Sequence, residues 1–243
     1  MSEGKEVVSW DEEMAKYAQK VAASERPNLA SISLKGGIMS YEKTPIPGNK
    51  LLTIVIASMM ENRFYKDRYD PNKPASPVCF AFHDGSDAEP WIPHPASHEI
   101  QSADGCATCP RMQWGSDLNG GRGKACKQVR KLALMPKIDS KEMALLSIPV
   151  MSVKNWSNYV NGLAATIKRP PWGVVTEISV HPDPRSQFVV KFDVVELVPE
   201  DKLPQIFSQI KMANNVLSAP YDYADPGETA ADNSATSKKA KKY

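Results

Sequence analysis

With 243 residues, 42% hydrophobic and 24% charged, the chain has the composition of one folded domain with appendages, which excludes global disorder. Its longest apolar run, Leu51 to Met60, is about half of what a membrane span needs, and the start Met1-Ser2-Glu3-Gly4-Lys5-Glu6 lacks the apolar core of a secretory signal. A cytosolic chain is expected. The net charge of +2 means that any polyanion must be met by a local patch rather than by the whole surface.

Twenty prolines against thirteen glycines favour short strands and loops. Trp10 to Glu25 is predicted as a helix, with Met14, Tyr17, Ala18 and Val21 on one face and Asp11, Glu12 and Glu13 in its first turn. Leu29 to Leu34 alternates as a strand. Leu51 to Ala57 is β-branched and apolar throughout, the pattern of a buried strand. Arg63 to Tyr69 alternates basic and aromatic side chains and is expected to pair with it. Val78 to Phe82 resumes extended structure, and no regular element is evident from His83 to Lys124. A coil of that length needs something to hold it.

Val129 to Met135 and Met143 to Val150 are predicted strands. Val153 to Ile167 is predicted as a helix with Trp156, Tyr159, Val160, Leu163 and Ala164 on one face. Trp172 to Val180 and Gln187 to Val198 follow as strands, with His181-Pro182-Asp183-Pro184 as the turn and Phe188, Val190, Phe192 and Val194 on one side. Leu203 to Val216 is a closing helix, Pro204 being tolerated in its first turn. From Ser218 onward the composition predicts a disordered tail.

Cys106-Ala107-Thr108-Cys109 is a CxxC, with Cys79 upstream and Cys126 downstream. Such a turn brings two sulfurs to one side of a metal, and two further cysteines complete a closed tetrahedral site, so one structural Zn²⁺ is expected on Cys79, Cys106, Cys109 and Cys126. His83, His94 or His98 in place of one cysteine stays open. A redox CxxC would open a helix after a strand, whereas this one follows Asp104-Gly105 in coil. A catalytic zinc would want an open position and a nearby base, and only Glu99 is at hand, without an HxE or HExxH pattern. Gly120-Gly121-Arg122-Gly123-Lys124 lacks phosphate-loop spacing.

Two runs mix cations with aromatic rings. The first holds Arg63, Phe64, Tyr65, Lys66, Arg68 and Tyr69. The second holds Arg111, Trp114, Arg122, Lys124, Lys127, Arg130 and Lys131, against the single acid Asp117. Cations track a phosphate backbone and rings stack on unpaired bases, the ingredients of a single-strand groove. An ordinary solvated strand face with core aromatics is the competing explanation.

The blocks Phe64-Tyr65-Lys66-Asp67-Arg68-Tyr69-Asp70-Pro71, Pro77-Val78-Cys79, Cys106-Ala107-Thr108-Cys109-Pro110, Trp114-Gly115-Ser116 and Gly121-Arg122-Gly123-Lys124-Ala125-Cys126-Lys127 occur in that order. In this the chain resembles a family of tailed-phage and prophage replication-region proteins described as single-stranded-DNA-binding. It is more loosely similar to the zinc-bearing helix-destabilising proteins of large phages. The resemblance implies a mainly β protein with flanking helices (α+β), an OB-like barrel with an inserted zinc-binding segment. The expected organisation is an N-terminal arm over 1–28, a single-strand-binding domain over 29–217 with the zinc insertion at 79–126, and a tail over 218–243. The expected function is non-enzymatic binding of single-stranded DNA in phage replication or recombination, in the cytosol of the infected bacterium, with the tail recruiting replication or recombination proteins. A zinc-stabilised adaptor or inhibitor of a host or phage protein is the alternative.

Overall fold

The computed structural model describes residues 29–67, 75–85, 90–118, 120–136 and 142–221, together with Trp10, Met14 and Tyr17. Those last three are helical and exposed; the rest of the predicted N-terminal helix lies outside the described residues.

The architecture is mostly β, a curled, barrel-like sheet flanked by two helices. Its strands are β1 (Ala30–Ser33), β2 (Ser40–Tyr41), β3 (Thr44–Pro45), β4 (Lys50–Phe64), β5 (Cys79–His83), β6 (Lys127–Met135), β7 (Ala144–Ile148), β8 (Val174–Asp183) and β9 (Gln187–Leu197). Their order is β3-β2-β1-β7-β6-β4-β8-β9, with β5 also paired to β4. Helix α1 (Val150–Gly162) continues as a single π turn (Leu163–Ile167), and α2 (Leu203–Leu217) closes the described chain.

Strand β4 organises the sheet. Its first residues, Lys50–Thr53, pair with β8; from Ile54 its other edge pairs with β6, and Met60–Phe64 pair with β5 where β8 has turned away. A register shift between Val55 and Ala57 marks a bulge, which bends the strand from one half of the sheet into the other. Both faces are covered. Val55, Leu132, Leu134, Ile178, Val190 and Phe192 pack under Trp156 of α1, while Ile54, Ile56, Ala133, Met135 and Val175 pack under Ile206, Ala213 and Leu217 of α2. That two-sided cover is why the Leu51 to Ala57 run does not alternate.

Helix α1 is located by polar groups as well as by packing. The Val190 N–H donates to Ser152 Oγ at 2.9 Å, and Asn155 Nδ2 donates to the Val190 carbonyl at 2.9 Å. Trp156 meets Phe192 edge-on at 5.2 Å between ring centres.

Three expectations are corrected. Arg63 and Phe64 are not part of a separate strand but end β4 itself, because no Gly or Pro interrupts Ser58 to Asn62; Arg68 and Tyr69 lie outside the described residues. The β8–β9 strands run on through His181, Pro182 and Asp183, and the turn begins at Pro184. The stretch from Ser218 is not tail at its outset, since Tyr221 packs against the sheet; residues 222–243 lie outside the described residues. Among the described residues no helix is long and apolar enough to cross a membrane.

Candidate thiol site and basic surface

Strand β5 delivers Cys79. The chain returns along β5, with the His94 N–H donating to the Phe80 carbonyl and the Glu99 N–H to the Val78 carbonyl, each at 2.8 Å. The Cys106 N–H then donates to the Trp91 carbonyl at 2.7 Å. Gly105 precedes it at φ 107°, and a Cβ there would sit 3.2 Å from that carbonyl oxygen, so glycine suits the approach on both counts. The CxxC closes as a turn: the Cys109 N–H donates to the Cys106 carbonyl at 3.3 Å and the Met112 N–H to the Cys109 carbonyl at 3.0 Å. The Cys126 N–H donates to the Arg111 carbonyl at 2.9 Å, which brings the lead-in to β6 alongside.

All four cysteines are free and buried, and they line one cavity of about 10 Å³, room for a single water-sized guest. Among the described residues no group of three or more His, Cys, Asp or Glu side chains is placed so that it could hold a metal ion. By its chemistry the donor set nonetheless suits a soft divalent ion: four sulfurs from three separate segments lining one cavity. Burial pushes the Cys79 and Cys106 thiols up, against the backbone N–H of Gln101 and the Ser97 hydroxyl at Cys79 and against the Asn62 amide at Cys106. Cys126 is pushed up to about 12, first by burial and then by the other three sulfurs, with Lys124 opposing.

The two basic and aromatic runs divide in the fold. Phe64 is 3% exposed and packs with Cys79, Ala125 and Cys126, the Arg111 guanidinium lying 5.0 Å over its ring. The expectation of a stacking ring is therefore corrected at Phe64: the thiol lobe uses it as core. Arg63 is 19% exposed and turned to Glu61, with Nε to Oε2 at 3.9 Å; Tyr65 beside it is half-buried. Lys131 donates to the Leu217 carbonyl at 3.1 Å, at the negative end of the α2 dipole, and lies over Phe82. Arg130 donates to Ser58 Oγ at 3.1 Å. Structural duties thus hold Arg63, Arg111, Arg130 and Lys131. Lys66 is exposed and paired with Glu99 at 2.9 Å.

Among the described residues, the cations and ring that remain together at the surface lie on one loop. Trp114 is 78% exposed, with the Lys124 ammonium 5.2 Å over its ring; Arg122 is exposed beside it, and Lys127 is partly exposed and bonded to Asp117 at 2.9 Å. The loop is braced from within. The Gly115 N–H donates to the Arg122 and Gly123 carbonyls, and the Ala125 N–H donates to Ser116 Oγ, both spans ending beside Cys126.

Sequence reasoning passed over two buried polar residues, Glu61 and Asn62, and the half-buried Tyr221 that reaches one of them. Glu61 and Asn62 are each 0% exposed, adjacent on β4, and belong to opposite faces of the sheet. Tyr221 donates its hydroxyl to Glu61 Oε1, while Glu61 Oε2 and both amide atoms of Asn62 have no hydrogen-bond partner. The one available signal was two polar residues inside a strand-forming run with no turn residue between them.

No protein-family model, curated protein sequence or solved structure matches the chain.

Proposed function

We propose that the chain is a non-enzymatic, single-stranded-DNA-binding protein whose Cys79–Cys126 lobe is held by one structural zinc ion on Cys79, Cys106, Cys109 and Cys126. The carrying observation is Trp114: a large indole left 78% exposed, under a lysine, on a loop braced against the thiol site. Exposing an indole forgoes a large hydrophobic gain, and a flat ring beside Lys124 and Arg122 offers a stacking platform next to phosphate partners. Zinc bound there would supply no reaction; it would cross-link three segments that hold little apolar core of their own. The OB-like assignment and the phage origin implied by the sequence blocks belong to the same proposal.

Titration with oligo-dT tests it. Affinity should fall with salt at a log–log slope of about −0.7 per phosphate neutralised. Trp114→Ala should weaken binding by roughly 1–3 kcal/mol without altering the fold. Equal binding by parent and variant would remove Trp114 from the interface. A second reading has its own observation: Ile92, Ile100 and Leu118 are also exposed in the same segment, as in a protein-docking lobe. Such an adaptor would show no steep salt dependence with DNA.

A further inference from the structure

Asn62 stands near the C-terminal end of β4, between Ala81 of β5 and Gln128 of β6, and its side chain lines the same cavity as the four cysteines. It is 0% exposed, yet neither its amide nitrogen nor its amide oxygen has a partner. Asparagine is a poor strand former, and an amide buried without a bond destabilises the protein around it. The residue next to it with an unsatisfied oxygen, Glu61, at least holds Tyr221. Nothing comparable serves Asn62 while the cysteines are thiols, because a thiol sulfur is a weak acceptor.

A thiolate is different. Metal ligation removes the proton and leaves an anionic sulfur, which takes charge-assisted hydrogen bonds from N–H groups. Asn62 and Cys106 line that cavity together.

We infer that Asn62 is a positioning residue of the metal centre, donating an N–H···S hydrogen bond to Cys106 when the ion is bound and so slowing loss of the metal. This rests on the thiol-site reading above. It explains why a polar residue occupies a fully buried strand position: no protein atom bonds the amide in the structure, and a metal-bound sulfur would, which couples metal uptake to the stability of the β5–β4–β6 region.

The test uses the full chain loaded with zinc, and transfer of zinc to a chromogenic chelator gives the affinity. Asn62→Leu, which removes the donor, and the nearly isosteric Asn62→Asp, which replaces it with an acceptor, should each bind zinc about 10–100-fold more weakly. In the metal-free state Asn62→Leu should unfold at the same or higher denaturant concentration than the parent, since it removes an orphaned amide. A merely structural role would lower metal-free stability instead. In the cobalt-loaded protein the sulfur-to-metal charge-transfer band should move to lower energy in Asn62→Leu, because the hydrogen bond no longer stabilises the sulfur lone pairs. Unchanged zinc affinity in both variants, with an unmoved band, would overturn the role of Asn62 alone. Failure of the parent to load zinc or cobalt would overturn the thiol-site reading and this inference together.

Discussion

Tyr221 and Glu61 are 160 positions apart and share a hydrogen bond beneath a cluster of rings. Tyr221 lies edge-on to Phe80 at 5.1 Å, and Lys131 sits over both Phe82 and Tyr221. Burial and then the Glu61 charge push the phenol above its ordinary range, so the hydroxyl stays a donor at any physiological pH. Tyr221→Phe keeps the ring and removes the donor, leaving both Glu61 oxygens without a hydrogen bond. It is expected to cost about 1–3 kcal/mol in urea unfolding. A loss no larger than that of a surface substitution would mean that water replaces the hydroxyl. Beside it, the carbonyl of Leu217, the last residue of α2, accepts from Lys131, and four residues later the Tyr221 ring lies under the same lysine.

Among the elements, the β8–β9 hairpin carries a pH-sensitive clasp. Asp183 Oδ1 accepts from the Arg185 N–H, the Ser186 N–H and the Ser186 hydroxyl, each at 2.9 Å. The Ser186 hydroxyl, then the two backbone donors, hold the Asp183 carboxyl below the usual carboxylate range. A depressed folded-state pKa contributes stability that is fully present above the unfolded value and is lost as the pH falls through the folded one. Asp183→Ala should therefore lower the melting temperature at neutral pH. The gap between parent and variant should close as the solution is acidified through the folded value. A gap that stays constant to the acid limit would show that the turn is held without the carboxylate. The expected turn at His181 to Pro184 mistook this clasp for the end of the strand. Pro182 sits opposite Phe188 near the hairpin end, a position that tolerates the missing N–H, so the ladder continues past it to Asp183.

Across the whole molecule, the hydrophobic clusters separate. Neither the cluster under α1 nor the one under α2 contains a residue between 65 and 126, whereas the cluster around Phe64 consists chiefly of cysteine-lobe side chains. The lobe is thus an appendage fastened to the far end of β4, β5 and β6, and its order depends on its own fastening. Cys109→Ser, or removal of metal with a chelator, should abolish hydrogen-exchange protection across residues 91–118 while leaving α1, β8 and β9 protected. Loss of protection throughout the sheet would instead make the lobe part of the folding nucleus of the whole chain.

Sequence pattern alone determined most elements: the apolar run at 51–57, the alternation at 187–198, the helical face at 156–164 and the closing helix at 203–216. These patterns follow from local geometry, which the side chains express wherever the strand or helix ends up. Cysteine spacing likewise marked the four residues that the fold gathers along one cavity, since a CxxC turn is a local structure. Coverage was decided by tertiary structure. Alternation assigns Phe64, Arg63, Glu61 and Asn62 to faces of β4, but what lies over each face comes from distant chain: the cysteine loops over Phe64 and Asn62, and Tyr221 over Glu61. A basic and aromatic run therefore looked the same in sequence whether its rings were core or surface. Only the packing left Trp114 outside and took Phe64 in, because burial depends on which segment arrives, and that is set by contacts far along the chain.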